Sequence, residues 1–362
     1  MFYNNAWRIC CKARQSESGG AKHDVGWKSE HSRRTMRVGI TYDLRAEYLS
    51  QGYGEEETAE FDSIETIDAI DAALCGLGHE TDRIGNVRNL TKRLAAGERW
   101  DLVFNIAEGM HGFGREAQVP ALLDAFAIPY TFSDPLVLAL ALHKAITKRV
   151  VASLGVPTPC FAVVHGDSDL DSVTLPWPVI AKPMAGGTSV GIAQASRVGN
   201  QDDLARVSGA LLEQYQQPVL VETFLSGQEF TVGLVGTGAK ARVLGVMEIF
   251  FHGNADPGMY TYANKRDYLT RVSYRLAEPS MAQRAADMAL CVWSGLGCRD
   301  AGRVDLRCDG SGNLNFLEIN PLAGLHPVDS DLVILCRLLG ISHHRLIEMI
   351  VDSARERVKE VT

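Results

Sequence analysis

Gly302-Arg303-Val304-Asp305-Leu306 and Phe316-Leu317-Glu318-Ile319-Asn320-Pro321 flank the turn Cys308-Asp309-Gly310-Ser311-Gly312-Asn313. Asp-Gly and Ser-Gly are hairpin punctuation, so the two alternating runs read as antiparallel strands. Residues two apart on a strand share a face. Arg303 therefore points with Asp305, and Glu318 with Asn320. One sheet face then carries a guanidinium, two carboxylates and an amide, an oxygen set that suits Mg²⁺ beside substrate phosphates. The other reading is a solvated face of ordinary charges. Under both readings Val304, Leu306, Leu317 and Ile319 are expected to bury the opposite face.

The chain around this hairpin is 362 residues long, enough for two or three ordinary domains. A net charge of −8 without a basic stripe argues against a nucleic-acid partner. No apolar run approaches the ~18 residues that span a bilayer. Eight cysteines are scattered without a Cys-x-x-Cys pair, which points to neither a zinc site nor a disulfide framework and predicts reduced thiols in the cytoplasm. Residues 1–35 lack periodicity and the apolar core of a signal peptide, and are expected to be a disordered extension or a mis-assigned start.

From Met36 strands and helices alternate. Strands are expected at 37–42 and 100–105, with a helix from Ser63 that stops near Gly76 and Gly78. A helix over 119–126 and a short strand over 128–131 complete a βαβ pattern. Ser133-Asp134-Pro135 is a helix start, whose apolar stripe runs through Leu138, Leu142 and Ile146 and carries His143-Lys144. The strand 177–183 ends on Lys182 and runs into Ala185-Gly186-Gly187-Thr188-Ser189-Val190-Gly191. Bare backbone N–H groups and two hydroxyls suit a phosphate cradle, although a Gly-rich turn between two strands can also be a plain hairpin. It is not a Walker A loop, because no Gly-Lys-Ser/Thr ends it. Strands follow at 219–222 and after Leu225, then a helix over 281–296, and a helical tail follows Pro321.

Taken in order, Lys144, Lys182 with its glycine loop, Glu222 through Glu229, Arg303, Asp305, Glu318 and Asn320 resemble the ATP-grasp enzymes, and more closely the D-alanine–D-alanine ligase family. The most specific pieces are Gly187-Thr188-Ser189-Val190-Gly191, Leu225-Ser226-Gly227-Gln228-Glu229-Phe230-Thr231-Val232 and Leu317-Glu318-Ile319-Asn320. The resemblance implies an α/β (α+β) chain of three domains: an N-terminal open parallel sheet over 36–131, then two antiparallel-sheet subdomains over 132–220 and 221–362 that clasp ATP. It implies phosphate contacts from Lys144, Lys182, Gly187, Ser189 and Lys265, and adenine contacts from Glu222, Phe224 and Leu225. Glu229 would take the ribose, and Asp305, Glu318 and Asn320 one or two Mg²⁺ or Mn²⁺ ions. For either glutamate, a cross-strand ion pair is the other reading.

The implied reaction is ligation of a carboxylate to an amine through an acyl phosphate, with ATP and amino acids or their conjugates as substrates. Arg303 would stabilise the oxyanion of the second step, Thr188, Ser189 and Lys265 would complete the catalytic set, and residues 260–268 would form a lid. His111 and Glu116, from a turn similar to the family's His-Gly-x-x-Gly-Glu, and Gly324 would face the amino-acid substrates. A homodimer is implied by the resemblance alone. The turn after the first strand, Ile40 to Glu47, lacks the family's glycines, leaving Asp43 or Glu47 as substitutes for its glutamate. Arg266 stands where the family's lid has a tyrosine, and Thr188 where its loop has a serine. His326 and Asp329 enter the second-substrate segment. These departures predict altered amino-acid specificity. A nucleotide-binding protein that has lost ligation, or one that phosphorylates without forming an amide, are the competing expectations.

Overall fold

The computed structural model describes residues 34–188, 190–252 and 268–358. Ser189, Lys265, the 260–267 part of the expected lid and nearly all of the 1–35 stretch lie outside the described residues. The chain opens with β1 (Arg37–Thr41), α1 (Arg45–Ser50), α2 (Ile64–Gly76), β2 (Glu80–Gly85), α3 (Val87–Ala95), β3 (Leu102–Asn105) and α4 (Gln118–Ala125). The strands form a parallel sheet in the order β2-β1-β3, with Ile40 opposite Phe104. Parallel strands covered on both faces are apolar throughout, and β3 is buried at every residue. Leu102 and Phe104 pack with Ile70 and Leu74 of α2, while Val103 between them packs with Leu90 of α3 and Leu123 of α4. The strand expected over 128–131 is reduced to one parallel bridge, Tyr130 with Val103, because Phe132 leaves the extended region at φ 71°.

The next stretch holds α5 (Pro135–Leu142), α6 (Lys144–Ser153), β4 (Phe161–Val164), β5 (Val179–Pro183), β6 (Arg197–Val198), α7 (Gln201–Tyr215) and β7 (Val219–Thr223). Asp134 caps α5 by accepting from the Val137 N–H, as Ser-Asp-Pro predicts. The single helix expected through Ile146 is not there. His143 leaves the helical region (φ −91°, ψ 87°), ends α5 and caps α6 through Nδ1, so Ile146 turns outward and is 42% exposed. The break places Lys144 in the first turn of a new helix. The four strands pair antiparallel as β4-β7-β5-β6. Val179, Ala181, Val219 and Val221 bury against Leu204, Val207 and Leu211 of α7, which leaves Ile180, Lys182 and Glu222 on the other face.

The chain continues with β8 (Glu229–Val235), β9 (Arg242–Phe251), α8 (Tyr268–Arg271), β10 (Val272–Leu276), α9 (Pro279–Leu296), β11 (Ala301–Cys308), β12 (Leu314–Asn320), α10 (Asp331–Leu338) and α11 (His343–Val358). Its five strands form an antiparallel sheet ordered β10-β9-β8-β11-β12. Ala285, Met288, Val292 and Trp293 of α9 cover one face, over Phe230, Val232, Val304 and Leu306. Gly302 is required there: a Cβ would stand 2.6 Å from the Asn320 carbonyl and 2.7 Å from the Trp293 ring. Leu346, Ile347 and Ile350 of α11 return to the first sheet and join the core around Val38 and Ile40.

The hairpin β11–β12 pairs Arg303 with Asn320, Val304 with Ile319 and Asp305 with Glu318, as its alternation predicts. Beyond Asp305 the register shifts, and Leu306 faces Phe316. Leu317 is thereby an extra residue in a β-bulge. It was expected in the core, but Phe316 takes that place and Leu317 turns to the opposite face with Glu318. One inserted residue flips a side chain across the sheet.

Candidate active site

The polar faces of the four- and five-stranded sheets oppose each other across a cleft. From the four-stranded side, Lys182 Nζ donates to Glu222 Oε1, and Lys148 Nζ lies 2.9 Å from Glu222 Oε2. Lys148 is fully buried and also donates to Thr158 Oγ1 at 3.1 Å, whose hydroxyl donates to the Phe316 carbonyl at 3.0 Å. Burial opposes ionisation of Glu222, but the two ammonium groups outweigh it and hold its carboxyl down at about 2. For Lys182 burial pulls the pKa down, yet Glu222 and Glu318 reverse the sign and raise it. Burial lowers the pKa of Lys144 and Lys148. A phosphate brought beside these lysines would restore the preference for the charged form.

From the five-stranded side, cross-strand register builds a ladder. Arg307 faces Glu229 and bonds Oε2 through Nη1 at 3.0 Å. Asp305 faces Thr231 and accepts its hydroxyl at 2.9 Å. Arg303 Nη1 pairs with Asp305 Oδ2 and lies 3.7 Å from Asp331. Burial disfavours the charge on Arg303, but Asp305, Asp331 and Glu318 hold it protonated. Glu222 and Glu229 thus both sit in ion pairs, the alternative reading of each. Arg307 and Arg197 lie over Phe224, 5.2 and 4.2 Å from the ring centroid.

Two compartments meet at Arg303 and Glu318. The first is walled by Ile180, Leu225 and Leu317 at its apolar end and by Lys182, Glu229 and Asp305 at its charged end. The width between such aliphatic walls suits a flat ring. The bulge that displaced Leu317 supplies one of those walls. The second compartment is bordered by Glu60, Glu108, Glu116, Lys144, Thr188 and Gly324. Lys144 Nζ bonds the Gly186 carbonyl, and the Gly187 N–H donates to Glu60 Oε1. Thr188 adopts φ 49°, a left-handed turn that folds the glycine loop toward this compartment.

Arg115 gathers the acids of the second compartment. Its Nη2 lies 2.6 Å from Glu60 and 4.0 Å from Glu116, and its Nη1 lies 3.6 Å from Glu108. Arg115 reaches all three acids, and Lys144 at the border of the compartment adds a second positive charge that acts on Glu116. Burial first, and then Glu60, push Glu116 up to about 7, with Arg115 opposing. Glu108 rises well above the carboxylate range through burial and the charges of Glu116 and Glu60.

Asp305, Glu318 and Asn320 lie together, with Asn320 Nδ2 3.3 Å from Asp305 Oδ2. Among the described residues no group of three His, Cys, Asp or Glu could hold a metal. Two carboxylates and an amide oxygen still fit Mg²⁺, which completes its shell with water and phosphate oxygens. His111 is not drawn in: it is exposed and stands against Tyr53. Asp43 is buried, accepting from the Tyr48 hydroxyl and from the Gly109 N–H, while Glu47 is exposed on α1, so neither reaches the second compartment. Sequence reasoning missed Glu60, Glu108, Arg115, Lys148, Arg307 and Ile180. Lys148 follows Lys144 by one helical turn and Arg307 continues the alternation from Asp305, so both were legible. Glu60 belongs to an irregular stretch that offers no periodic signal.

The family model described as "D-ala D-ala ligase C-terminus" matches residues 150–352. An uncharacterized protein of Sinorhizobium fredii, y4sG, is 33% identical over 306 residues, covering 80% of this chain and 87% of that protein. A D-alanine–D-alanine ligase of Bordetella avium is 32% identical over 274 residues, covering 74% of this chain and 82% of the relative. In fold, the chain is similar to the crystal structure of D-alanine–D-alanine ligase from Bacillus anthracis complexed with ATP, with a TM-score of 0.69 at 20% identity. That likeness covers 91% of this chain and 100% of the other. The parallel sheet, the two opposed antiparallel sheets and the charged cleft between them agree with these matches, and the chain belongs to the D-alanine–D-alanine ligase family, as an ATP-dependent ligase of the ATP-grasp fold.

Proposed function

We propose that this protein is a Mg²⁺-dependent carboxylate–amine ligase that joins two amino-acid substrates through an acyl phosphate, with a substrate pocket altered from that of D-alanine–D-alanine ligases. The observation that carries the reading is the junction at Arg303 and Glu318, where a slot suited to a nucleotide opens into a second, acid-lined compartment. ATP would lie in the slot, its base between Ile180 and Leu317, near Glu222, Phe224 and Leu225. Glu229 would turn from Arg307 to the ribose hydroxyls, and Lys144, Lys182 and the Gly187 N–H would meet the phosphates. Asp305, Glu318 and Asn320 would hold Mg²⁺, which when bound neutralises phosphate charge.

The donor carboxylate attacks the γ-phosphorus, and ADP leaves. An amine then attacks the acyl carbon, loses its proton, and expels phosphate to leave an amide. Phosphoryl transfer needs positioning and charge neutralisation more than covalent help. Arg303, held protonated by the surrounding acids, would stabilise the oxyanion of the second step. Thr188 and the glycine loop would border the substrates, with Glu116 and Gly324 on the amino-acid side. Ser189 and Lys265 keep the roles that the family resemblance implies. The test is phosphate release from Mg·ATP with D- and L-amino acids offered singly and in pairs, with mass spectrometry of the products. An amide product is expected. Nucleotide binding without amide formation across such a panel would sink the ligase reading.

A further inference from the structure

Beside the second compartment lies a pocket of about 470 Å³, which shares Glu60, Thr188, Arg303 and Gly324 with it. Its size is in the range of sites that enclose ligands much larger than alanine. One wall comes from the segment Phe61 to Thr66, the other from Gly324 to Leu332, beside Arg303. Most of its charges already have partners. Glu60 pairs with Arg115, and Asp331 with Arg303. His326 Nδ1 lies 3.2 Å from the Asp329 N–H and 3.4 Å from Asp329 Oδ2, so these two pocket residues face each other. Arg45 turns its guanidinium away, to Thr58 Oγ1 at 3.3 Å and the Glu55 carbonyl at 3.1 Å.

Asp62 differs. Its backbone is fixed on both sides, the N–H to the Asp43 carbonyl at 3.2 Å and the carbonyl from the Arg45 N–H at 3.0 Å. Thr66 bonds its carboxyl, but among the described residues no cation stands within ion-pair distance. Burial and the nearby Asp43 push it up to about 7. A carboxyl in a pocket wall with no described counter-ion holds its proton to higher pH, and a cationic ligand would draw out the charged form.

We infer that this pocket takes an acceptor amine larger than alanine that carries a second, cationic group, and that Asp62 is the anion that selects it. The inference rests on the ligase reading above, in which the attacking amine stands beside Arg303. The acceptor's nucleophilic nitrogen would lie at Arg303 and Thr188, and its side chain would extend between Phe61 and Leu332 to the Asp62 carboxylate.

The test is calorimetry on the full chain loaded with Mg²⁺ and a non-hydrolysable ATP analogue. Lysine, norleucine and 2-aminoadipate, matched in length, are titrated as both enantiomers. Lysine is expected to bind roughly ten- to a hundredfold more tightly than norleucine, the scale of a charge-assisted hydrogen bond. Asp62→Asn is expected to bring the lysine-to-norleucine ratio near one, and the wild-type ratio decides alone should that variant fail to fold. Equal binding of lysine and norleucine, or preference for 2-aminoadipate through Arg45, would overturn the inference while leaving the ligase reading intact. Failure of the analogue to bind would instead remove the ligase reading and the inference together.

Discussion

The two compartments that meet at Arg303 handle charge in opposite ways. In the nucleotide slot, cations and anions are matched: Lys182 and Lys148 with Glu222, Arg307 with Glu229, and Arg303 with Asp305. Strand register supplies two of those matches, Arg307 directly opposite Glu229 and Arg303 two residues from Asp305 on the same strand. In the second compartment, Glu60, Glu108 and Glu116 crowd around Arg115, with Lys144 and the shared Arg303 at its border, and burial first, then repulsion among the acids, pushes Glu108 and Glu116 toward the neutral form. A matched site can hold its shape while it waits for ligand. A mismatched one stores an electrostatic preference that a cationic amine group would satisfy.

The sharpest way to break this comparison is Glu318→Ala, which removes a shared residue of both compartments. Phosphate release is expected to fall at least 10²–10³-fold, the scale of deleting one group that stabilises transition-state charge, with the circular-dichroism spectrum unchanged. Full activity in that variant would refute the assignment of Glu318 to the metal. Next in size is Glu222→Gln, which strands Lys148 and Lys182 without their carboxylate. Removing one partner of a buried ion set costs about 3–5 kcal/mol, to be read as the unfolding free energy in urea. A loss under about 1 kcal/mol would mean that the lysines find water, and that the matched description of the slot is wrong.

The third prediction concerns pH and has opposite signs on the two sides. Glu116 titrates near 7 in the folded protein and near 4.5 when unfolded, so the folded state holds the proton more tightly. Its contribution to stability is complete below about pH 4.5 and is lost as pH rises through 7. Glu222, held at about 2, contributes above its unfolded value of 4.5 and loses that contribution as pH falls toward 2. Urea unfolding at pH 5 and pH 7.5 is expected to show a smaller decline in Glu116→Gln than in the parent. Parallel curves would remove Glu116 from the mismatched set.

The smallest effect tests how the two halves are joined. Glu56, from the same irregular stretch as Glu60, accepts the Tyr215 hydroxyl of α7 at 2.6 Å. Tyr215→Phe is expected to cost about 1 kcal/mol of unfolding free energy, the net value of one hydrogen bond. No measurable change would show that water, or the Gln214 Nε2 that also donates to Glu56 at 3.0 Å, replaces the bond.

The sequence by itself determined the hairpin, its paired residues Arg303, Asp305, Glu318 and Asn320, the strand that ends on Lys182, and the family. Those features are local: a two-residue period fixes which side chains share a face, and Asp-Gly fixes the turn between them. Only the tertiary structure decided the rest. It placed Leu317 in the slot instead of the core, because one bulged residue reverses the alternation. It broke the helix at His143, because that residue leaves the helical region and caps the next helix with its ring. It brought Glu60 from an aperiodic stretch onto Gly187, 127 residues away in sequence, and set Asp62 in a pocket wall where no cation among the described residues pairs with it. Contacts of that kind depend on how separate sheets pack, and packing leaves no period in the chain that sequence reasoning could read.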